Sequence, residues 1–281
     1  MKKILFLIII FLSLNLYSKT LNKELYFFCG AAVKVPMEEI IKNYQQKTGI
    51  KINVIYGGSG TLLSQMELSK KGDVYLAGSP DYIIIGEQKN LLQKNSDKLV
   101  TYLVPAIIVP KNNPKKIYTL DDLTKKGVRI GIGNPETVCL GLYGIELLEH
   151  NNLLEKVFPN IVTFAKSCED TAMLTVLNKV DAIIGWDVFE SWNSDKVEWI
   201  KIDKNKISRI SYIPIAIPVF VKDKNLAENF INYVLSKEGQ DVFKKWGYII
   251  DKSEALKFAP KAKIGGEYKL SQKFYDLLKS K

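Results

Sequence analysis

Residues 54–66, VIYGGSGTLLSQM, combine two different patterns of apolar residues on either side of a glycine-rich turn. A β-branched apolar run ends at the glycine-rich turn 57–60, and an amphipathic segment follows at once. This pattern predicts a strand, a tight turn and the first turn of a helix. Glycine lets a ligand approach the backbone closely, and the Ser59 hydroxyl can donate a hydrogen bond. Ser59 is therefore interpreted as a residue that holds a ligand, with a helix N-cap as the simplest alternative.

The same strand-to-turn transition occurs on both sides of this stretch. Apolar strands are predicted at 25–29, 50–56 and 73–77, and helices follow the turns that end them. Pro36 suits the first turn of the first helix, and Gly49 is its predicted stop. This β-α-β-α-β order predicts a parallel sheet flanked by helices, and the ligand sites of such sheets lie at the carboxyl ends of the strands.

A second α/β unit is predicted after a long apolar strand at Tyr102–Val109. A helix start at Thr119–Asp122, strands at 128–132, 161–165 and 181–186, and intervening helices repeat the earlier pattern. We expect a two-lobed α/β fold whose chain crosses between the lobes near 101–104 and 209–213, which permits hinge closure over a ligand. The predicted division is residues 1–18 as a signal peptide, 19–102 as the first part of lobe 1, 103–210 as lobe 2, and 211–281 as the return to lobe 1.

Composition narrows the class of protein. The chain has 281 residues, of which 47% are hydrophobic and 25% charged, as in an ordinary globular protein. The net charge of +10 is spread along the sequence without basic runs interleaved with aromatic residues, which argues against nucleic-acid binding. Residues 1–18, MKKILFLIIIFLSLNLYS, have the layout of a secretory signal peptide, with a membrane anchor as the alternative. The mature protein is expected to be a periplasmic monomer.

The sequence offers little for catalysis. Its one histidine, His150, lies at the predicted end of a helix, where a cation interacts favourably with the helix dipole. There is no GxSxG nucleophile motif, and the turn at 57–60 lacks the lysine of a phosphate-binding P-loop. We therefore expect a binding protein without a cofactor.

Cys29, Cys139 and Cys168 each fall near a predicted strand-to-helix turn. Three interpretations stay open: small buried side chains, a disulfide with one odd thiol, or thiolate ligands of a soft metal or metalloid. The sequence has no CxxC spacing that would favour a metal.

Several longer stretches carry a family resemblance. They are FCGAAVKVPMEEI (28–40), GGSGTLLSQM (57–66), KKGDVYLAGSPDYI (70–83), LVPAIIVPKNNPKKIYTLDDL (103–123), GVRIGIGNPETVCLGLYGIELLE (127–149), VDAIIGWDVF (180–189) and NLAENFINYVLSKEGQDVFKKWGY (225–248). Over about residues 24–250 the chain resembles the periplasmic substrate-binding proteins of ABC importers, and especially the molybdate/tungstate-binding group. The resemblance implies a type II periplasmic binding protein fold that delivers a small oxyanion to a membrane permease.

The resemblance also implies a set of ligand-binding positions. In this family, serine hydroxyls, backbone N–H groups and a tyrosine hydroxyl hold the anion. Alanine stands where the family has a serine in the first turn, tryptophan stands where it has a tyrosine, and the turn at 139–140 lacks the usual proline-alanine pair. The resulting candidates are Ala31, Ala32, Gly58, Ser59, Ser79, Cys139, Leu140, Thr171 and Trp186.

These departures leave the ligand open. The alternatives are another oxyanion, a thiol-seeking metal or metalloid held by cysteines such as Cys29 and Cys139, or a ligand sensor that docks on a receptor kinase. All of them require that residues 57–60 and 139–143 face each other across a cleft that can close.

Overall fold

The computed structural model describes residues 23–281, so the predicted signal peptide lies outside the described residues. Alternating strands and helices build the chain. The strands are β1 (Glu24–Gly30), β2 (Lys51–Gly57), β3 (Val74–Leu76), β4 (Lys98–Leu103), β5 (Pro105–Pro110), β6 (Ile130–Gly133), β7 (Ile161–Ala165), β8 (Ala182–Trp186), β9 (Val197–Ile200), β10 (Arg209–Ala216) and β11 (Lys263–Ile264). The helices are α1 (Lys34–Thr48), α2 (Ser59–Ser69), α3 (Asp81–Gln88), α4 (Cys139–His150), α5 (Leu154–Val157), α6 (Cys168–Val176), α7 (Phe189–Trp192), α8 (Lys224–Leu235), α9 (Lys237–Lys245), α10 (Lys252–Phe258) and α11 (Gln272–Lys279).

Two sheets define two lobes. The sheet of lobe 1 has the order β11-β10-β3-β1-β2, with β4 also paired to β10. The sheet of lobe 2 has the order β7-β6-β8-β5-β9. The central strands are parallel in each sheet, and β10 and β5 are the strands that pair antiparallel to them. Because parallel neighbours end at the same edge, the turns after β1, β2 and β3 lie together, as do those after β6, β7 and β8.

The local signals in the sequence explain several of these boundaries. Gly49 ends α1 in the left-handed region at φ +70°, which glycine adopts without a steric penalty. Pro36 lies in the first turn of the same helix, where its missing N–H costs no hydrogen bond. Helix α2 begins at Ser59, inside the glycine-rich turn 57–60 that is predicted to precede it. The early strands and helices are therefore confirmed to within a few residues.

Two predictions in the middle of the chain are wrong. The run Tyr102–Val109 is not one strand, because β4 pairs with β10 in lobe 1 and β5 pairs with β8 in lobe 2. Val104 between them carries the chain from one lobe to the other, and an apolar run cannot show a change of sheet. The predicted helix at Thr119–Asp122 is only a short 3₁₀ turn, Asp121–Thr124.

The second crossing uses residues 201–208, between β9 and β10, slightly before the predicted position. Beyond α9, the chain reaches the hydrophobic cluster of lobe 2, where Ala255, Ala259 and Phe274 are buried. The lobe bounds stay a prediction. Their least certain part is the assignment of the last thirty residues to lobe 1, because these residues pack on lobe 2. None of the helices between residues 23 and 281 is both long and apolar enough to cross a bilayer.

The two lobes are in direct contact. One cluster of buried apolar side chains extends from the sheet of lobe 1 to the inner face of lobe 2 and includes Leu62, Val138, Tyr143 and Trp186. The structure therefore describes a closed arrangement of the lobes.

Candidate functional site

The glycine-rich turn at residues 57–60 lies at the contact between the lobes. The Gly60 amide donates to the Thr137 carbonyl oxygen at 2.9 Å, which joins the start of α2 in lobe 1 to the segment before α4 in lobe 2. A Cβ atom at Gly58 would stand 2.8 Å from the Thr137 oxygen and 2.9 Å from the Lys166 oxygen. Glycine at position 58 is thus required for the lobes to approach this closely, rather than for an unusual φ, which is −68°.

Ser59 is the first residue of α2 and is 2% exposed. Its hydroxyl oxygen accepts a hydrogen bond from the Gly78 amide at 2.9 Å, and its O–H group lies within hydrogen-bonding reach of the Cys139 thiol. It makes no side-chain cap of its own helix. The interpretation of Ser59 as a simple N-cap is therefore wrong, because its side chain faces the turn after β3.

Gly78 separates Ser59 from lobe 2. A Cβ atom there would lie 2.3 Å from Cys139 Sγ and 3.5 Å from Ser59 Oγ. The structure therefore brings the turn after β2, the turn after β3 and the N-terminus of α4 together in one buried cluster. The expected juxtaposition of residues 57–60 with residues 139–143 is present.

Two of the three cysteines meet in this cluster. Cys139 Sγ and Cys168 Sγ are 3.8 Å apart, and these residues begin α4 and α6. Hydrogen bonding to Cys168, together with burial, raises the pKa of the Cys139 thiol well above its usual range. Cys29 is the second-to-last residue of β1 in lobe 1, where its thiol lies 3.7 Å from the Gly30 oxygen. All three thiols are free and buried.

Three buried donor atoms accompany the thiols. Ser79 Oγ, Tyr143 Oη and Trp186 Nε1 find no hydrogen-bond partner among the described residues. The Tyr143 and Trp186 rings pack edge to face with centroids 5.2 Å apart, and Tyr143 lies one helical turn after Cys139 on the same face of α4. Burial raises the pKa of Tyr143 well above its usual range, so its hydroxyl remains protonated and can donate. Unpartnered buried donors are unusual, and each of these three groups can donate a hydrogen bond to an acceptor.

An ion network supports the tyrosine. The Arg209 guanidinium lies 3.8 Å from the centroid of the Tyr143 ring. It donates to Asp81 of lobe 1 at 2.9 Å and to Glu146 of lobe 2 at 2.6 Å. Because the two carboxylates offset its charge, Arg209 contributes position rather than a free positive charge.

The other predicted positions are also buried between the lobes. Ala31 and Ala32 form the 3₁₀ turn after β1 that contacts α6, and the Ala32 carbonyl oxygen accepts from the Tyr248 hydroxyl at 2.6 Å. Leu140 is fully buried beside Cys139. Thr171 donates its hydroxyl to the Ser167 carbonyl at 2.7 Å, so that donor is already used within α6.

Other predicted chemistry is not assembled here. Within residues 23–281, no three His, Cys, Asp or Glu side chains form a group that could hold a metal ion. The pair that the sequence analysis favoured for a soft metal, Cys29 and Cys139, is not the pair that meets. His150 lies in the last turn of α4 and is exposed, as expected for a helix end.

Gly78, Tyr143 and Arg209 also line this cluster, and none of them was among the residues predicted from the sequence. Tyr143 could have been found, because it lies four residues after Cys139 on a predicted helix and therefore on the same face. Arg209 carried no local signal, since its partners are 128 and 63 residues away in the sequence.

Together, two α/β lobes joined by two crossings, with turns from both lobes meeting in a buried polar cluster, define a two-lobed binding protein. This is the type II periplasmic binding protein fold. The chain belongs to the bacterial extracellular solute-binding protein family, whose model matches residues 25–249.

Individual relatives show the same class. A binding protein of Haemophilus influenzae is 28% identical over 231 residues, which cover 80% of this chain and 91% of the relative. The molybdate-binding protein ModA of Escherichia coli is 22% identical over 79% of this chain and 88% of its own length. Among solved structures, the sulfate-binding protein SubI of Mycobacterium tuberculosis superposes with a TM-score of 0.74 at 15% identity, covering 86% of this chain and 94% of SubI.

Proposed function

We propose that this protein captures a small tetrahedral oxyanion, such as molybdate, tungstate or sulfate, between its two lobes and delivers it to the membrane permease of an ABC importer. The observation that supports the proposal is the packing of the first residues of α2, α4 and α6 around Gly78, through Ser59, Cys139 and Cys168. Ser79, Tyr143 and Trp186 add buried donors without a partner among the described residues. Relatives that bind molybdate and sulfate support the same class of ligand.

The physical basis is a dry site built from neutral donors. The first amides of a helix have no helical carbonyl to bond, and the helix dipole adds positive potential at that end. Such ends can stabilise an anion without a free cationic side chain, and the N-termini of α2 and α4 carry no side-chain cap. Donors from both lobes are needed to surround the anion, so its binding favours closure.

A ligand panel tests the class. Purified protein is heated with molybdate, tungstate, sulfate or phosphate, and with arsenite or zinc for the thiol-seeking alternative. At a concentration of about 100 Kd, the correct anion should add about 2.7 kcal/mol to the free energy of unfolding and raise Tm by roughly 5–10 °C. Stabilisation by arsenite or zinc alone would overturn the oxyanion proposal.

Ser59→Ala tests the site within that class. We expect the stabilising anion to bind about 10- to 100-fold more weakly, because one hydrogen bond to a charged ligand is lost. Ser69→Ala, at the exposed end of the same helix, is the matched control and should bind as the wild type does. Equal affinity in Ser59→Ala and the control would remove Ser59 from the site.

Export and delivery have their own test. The proposal requires removal of residues 1–18, so N-terminal sequencing of the protein from the periplasm should begin after Ser18. Cells that lack the gene should take up the stabilising anion more slowly, and a normal rate of uptake would favour a sensor over an importer component.

A further inference from the structure

The thiols of Cys139 and Cys168 are the reactive groups that the proposed anion site does not use. Their sulfur atoms are 3.8 Å apart, and the side chains are 1% and 3% exposed. Both belong to lobe 2, at the first residues of α4 and α6. A movement of lobe 1 relative to lobe 2 therefore does not by itself change the distance between the two sulfur atoms.

This geometry is close to that needed for a covalent bond. A disulfide has an S–S distance of about 2.05 Å, so the two sulfur atoms must approach by about 1.8 Å. Cys29, on β1 of lobe 1, is not in this pair.

Lobe 1 covers the pair. Gly78 packs on Cys139 Sγ so closely that a Cβ atom there would lie 2.3 Å away. In this closed arrangement, hydrogen bonding and burial raise the pKa of the Cys139 thiol, and the thiolate is the form that attacks a disulfide. Because Gly78 of lobe 1 covers Cys139 Sγ, a movement of lobe 1 away from lobe 2 would uncover this thiol at a helix N-terminus, which is an environment that favours the thiolate. Closure and opening therefore have opposite effects on reactivity.

We propose that Cys139 and Cys168 are a redox-reactive dithiol that is oxidised to an intralobe disulfide while the cleft is open and is protected while it is closed. The oxidant is a small disulfide or a dithiol–disulfide oxidoreductase. The thiolate of one cysteine attacks the oxidant, which forms a mixed disulfide and releases one thiol. The second cysteine then attacks its neighbour's sulfur and releases the second thiol. The protein loses two protons and two electrons, and the oxidant gains them. This modification site depends on lobe opening and not on the identity of the anion.

The test measures disulfide formation in the full mature chain. Reduced protein is incubated with oxidised glutathione, the remaining thiols are alkylated, and peptides are mapped by mass spectrometry. We expect a Cys139–Cys168 linkage with Cys29 recovered as the alkylated thiol. Cys168→Ser should stop at a glutathione mixed disulfide on Cys139.

A variant that disfavours closure tests whether oxidation depends on opening of the cleft. In Gly58→Ala, the new methyl group would meet the carbonyls of Thr137 and Lys166 across the lobe contact, while φ −68° suits alanine. Overpacking of this kind costs about 1–3 kcal/mol in the closed state, so oxidation should be at least about fivefold faster. Gly144→Ala is the matched control, because its Cβ would lie an ordinary 3.6 Å from Ile184 within lobe 2. Its rate should match that of the wild type.

A milder pair of variants keeps the test valid if Gly58→Ala does not fold. Lys34→Gln breaks the 2.8 Å ion pair with Glu169 between the lobes, whereas Lys89→Gln breaks the 3.0 Å pair with Glu67 inside lobe 1. The first should oxidise about 1.5- to 5-fold faster, and the second should not change. Linkage to Cys29, linkage between chains, or equal rates in Lys34→Gln, Lys89→Gln and wild type would overturn the proposal.

Discussion

The Gly60 amide and the Thr137 carbonyl form a 2.9 Å hydrogen bond across the boundary between the lobes. This contact involves backbone atoms, so the surfaces of the two lobes approach to the limit that glycine allows. The adjacent Gly58 has no room for a methyl group. Closure of the cleft is therefore sensitive to one carbon atom at this position.

The first prediction concerns the shape of the molecule. Gly58→Ala should hold the lobes apart and increase the radius of gyration measured by small-angle X-ray scattering. The stabilising anion should also bind at least about fivefold more weakly, because part of its binding energy must relieve the overpacking. Gly144→Ala should keep the wild-type radius and affinity. A compact Gly58→Ala protein with unchanged affinity would contradict the role of this contact in closure.

The second prediction concerns Arg209, which joins the lobes through buried charges. Arg209→Met leaves Asp81, at 1% exposure, and Glu146 without their cation. Removing one partner of a buried ion network lowers the free energy of unfolding by about 3–5 kcal/mol. We expect a loss of this size in Arg209→Met, measured by urea unfolding. Lys89→Met is the control, because its exposed pair with Glu67 inside lobe 1 should contribute about 1 kcal/mol or less.

A triple variant separates charge from packing at the same place. Adding Asp81→Asn and Glu146→Gln to Arg209→Met removes the uncompensated charges, so part of the lost stability should return. No recovery would show that the Arg209 contribution comes from packing on the Tyr143 ring, 3.8 Å away, instead of from charge.

Much of this site was predictable because its signals are local. The turn at 57–60 combines glycines, a serine and a change of periodicity, and all of these lie within a few residues of one another. The placement of Ser59 and Cys139 at helix starts follows from those signals and from the rule that parallel strands end at one edge. The family resemblance added Trp186, which composition alone would assign to the core.

The features that the sequence did not predict depend on contacts between residues that are far apart in the sequence. Nothing near Val104 shows that a continuous apolar run changes sheets, because both strands are equally buried. The choice of Cys168 over Cys29 as the partner of Cys139 depends on how α6 packs beside α4, which spacing does not encode. Gly78 was visible as a turn residue, but its contact with a sulfur atom of the other lobe was not.

The third prediction concerns the pH dependence of stability that arises from Asp187. This residue bonds the backbone of Val104, where the chain passes from lobe 1 to lobe 2. Its carboxylate accepts from the Val104 amide at 3.0 Å, and burial raises its pKa to about 7. In the unfolded chain the Asp187 carboxyl has a pKa near 3.8. The unfolded state therefore releases the proton at a lower pH than the folded state does. The stabilising contribution is therefore complete below pH 4 and is lost as the pH rises towards 7, by at most about 4 kcal/mol.

Asp187→Asn resembles the protonated carboxyl and should remove this slope. In urea unfolding between pH 4 and 8, the free energy of unfolding of the variant should rise relative to that of the wild type as the pH rises. Asp195→Asn, at an exposed position of the same lobe, should track the wild type throughout. Parallel curves for wild type and Asp187→Asn would show that the buried carboxyl is not the titrating group.

The fourth prediction separates binding from stability at Tyr143. Its buried hydroxyl has no partner among the described residues, so Tyr143→Phe removes an unsatisfied polar atom, and the free energy of unfolding without ligand should stay the same or rise. The anion should nevertheless bind about 10- to 100-fold more weakly, as expected for one lost hydrogen bond to a charge. Calorimetric titration measures the affinity, and urea unfolding measures the stability. Tyr44→Phe, which packs on Phe230 in lobe 1, is the control and should leave the affinity unchanged. If Tyr143→Phe loses stability and keeps its affinity, the hydroxyl serves the fold and does not face the anion.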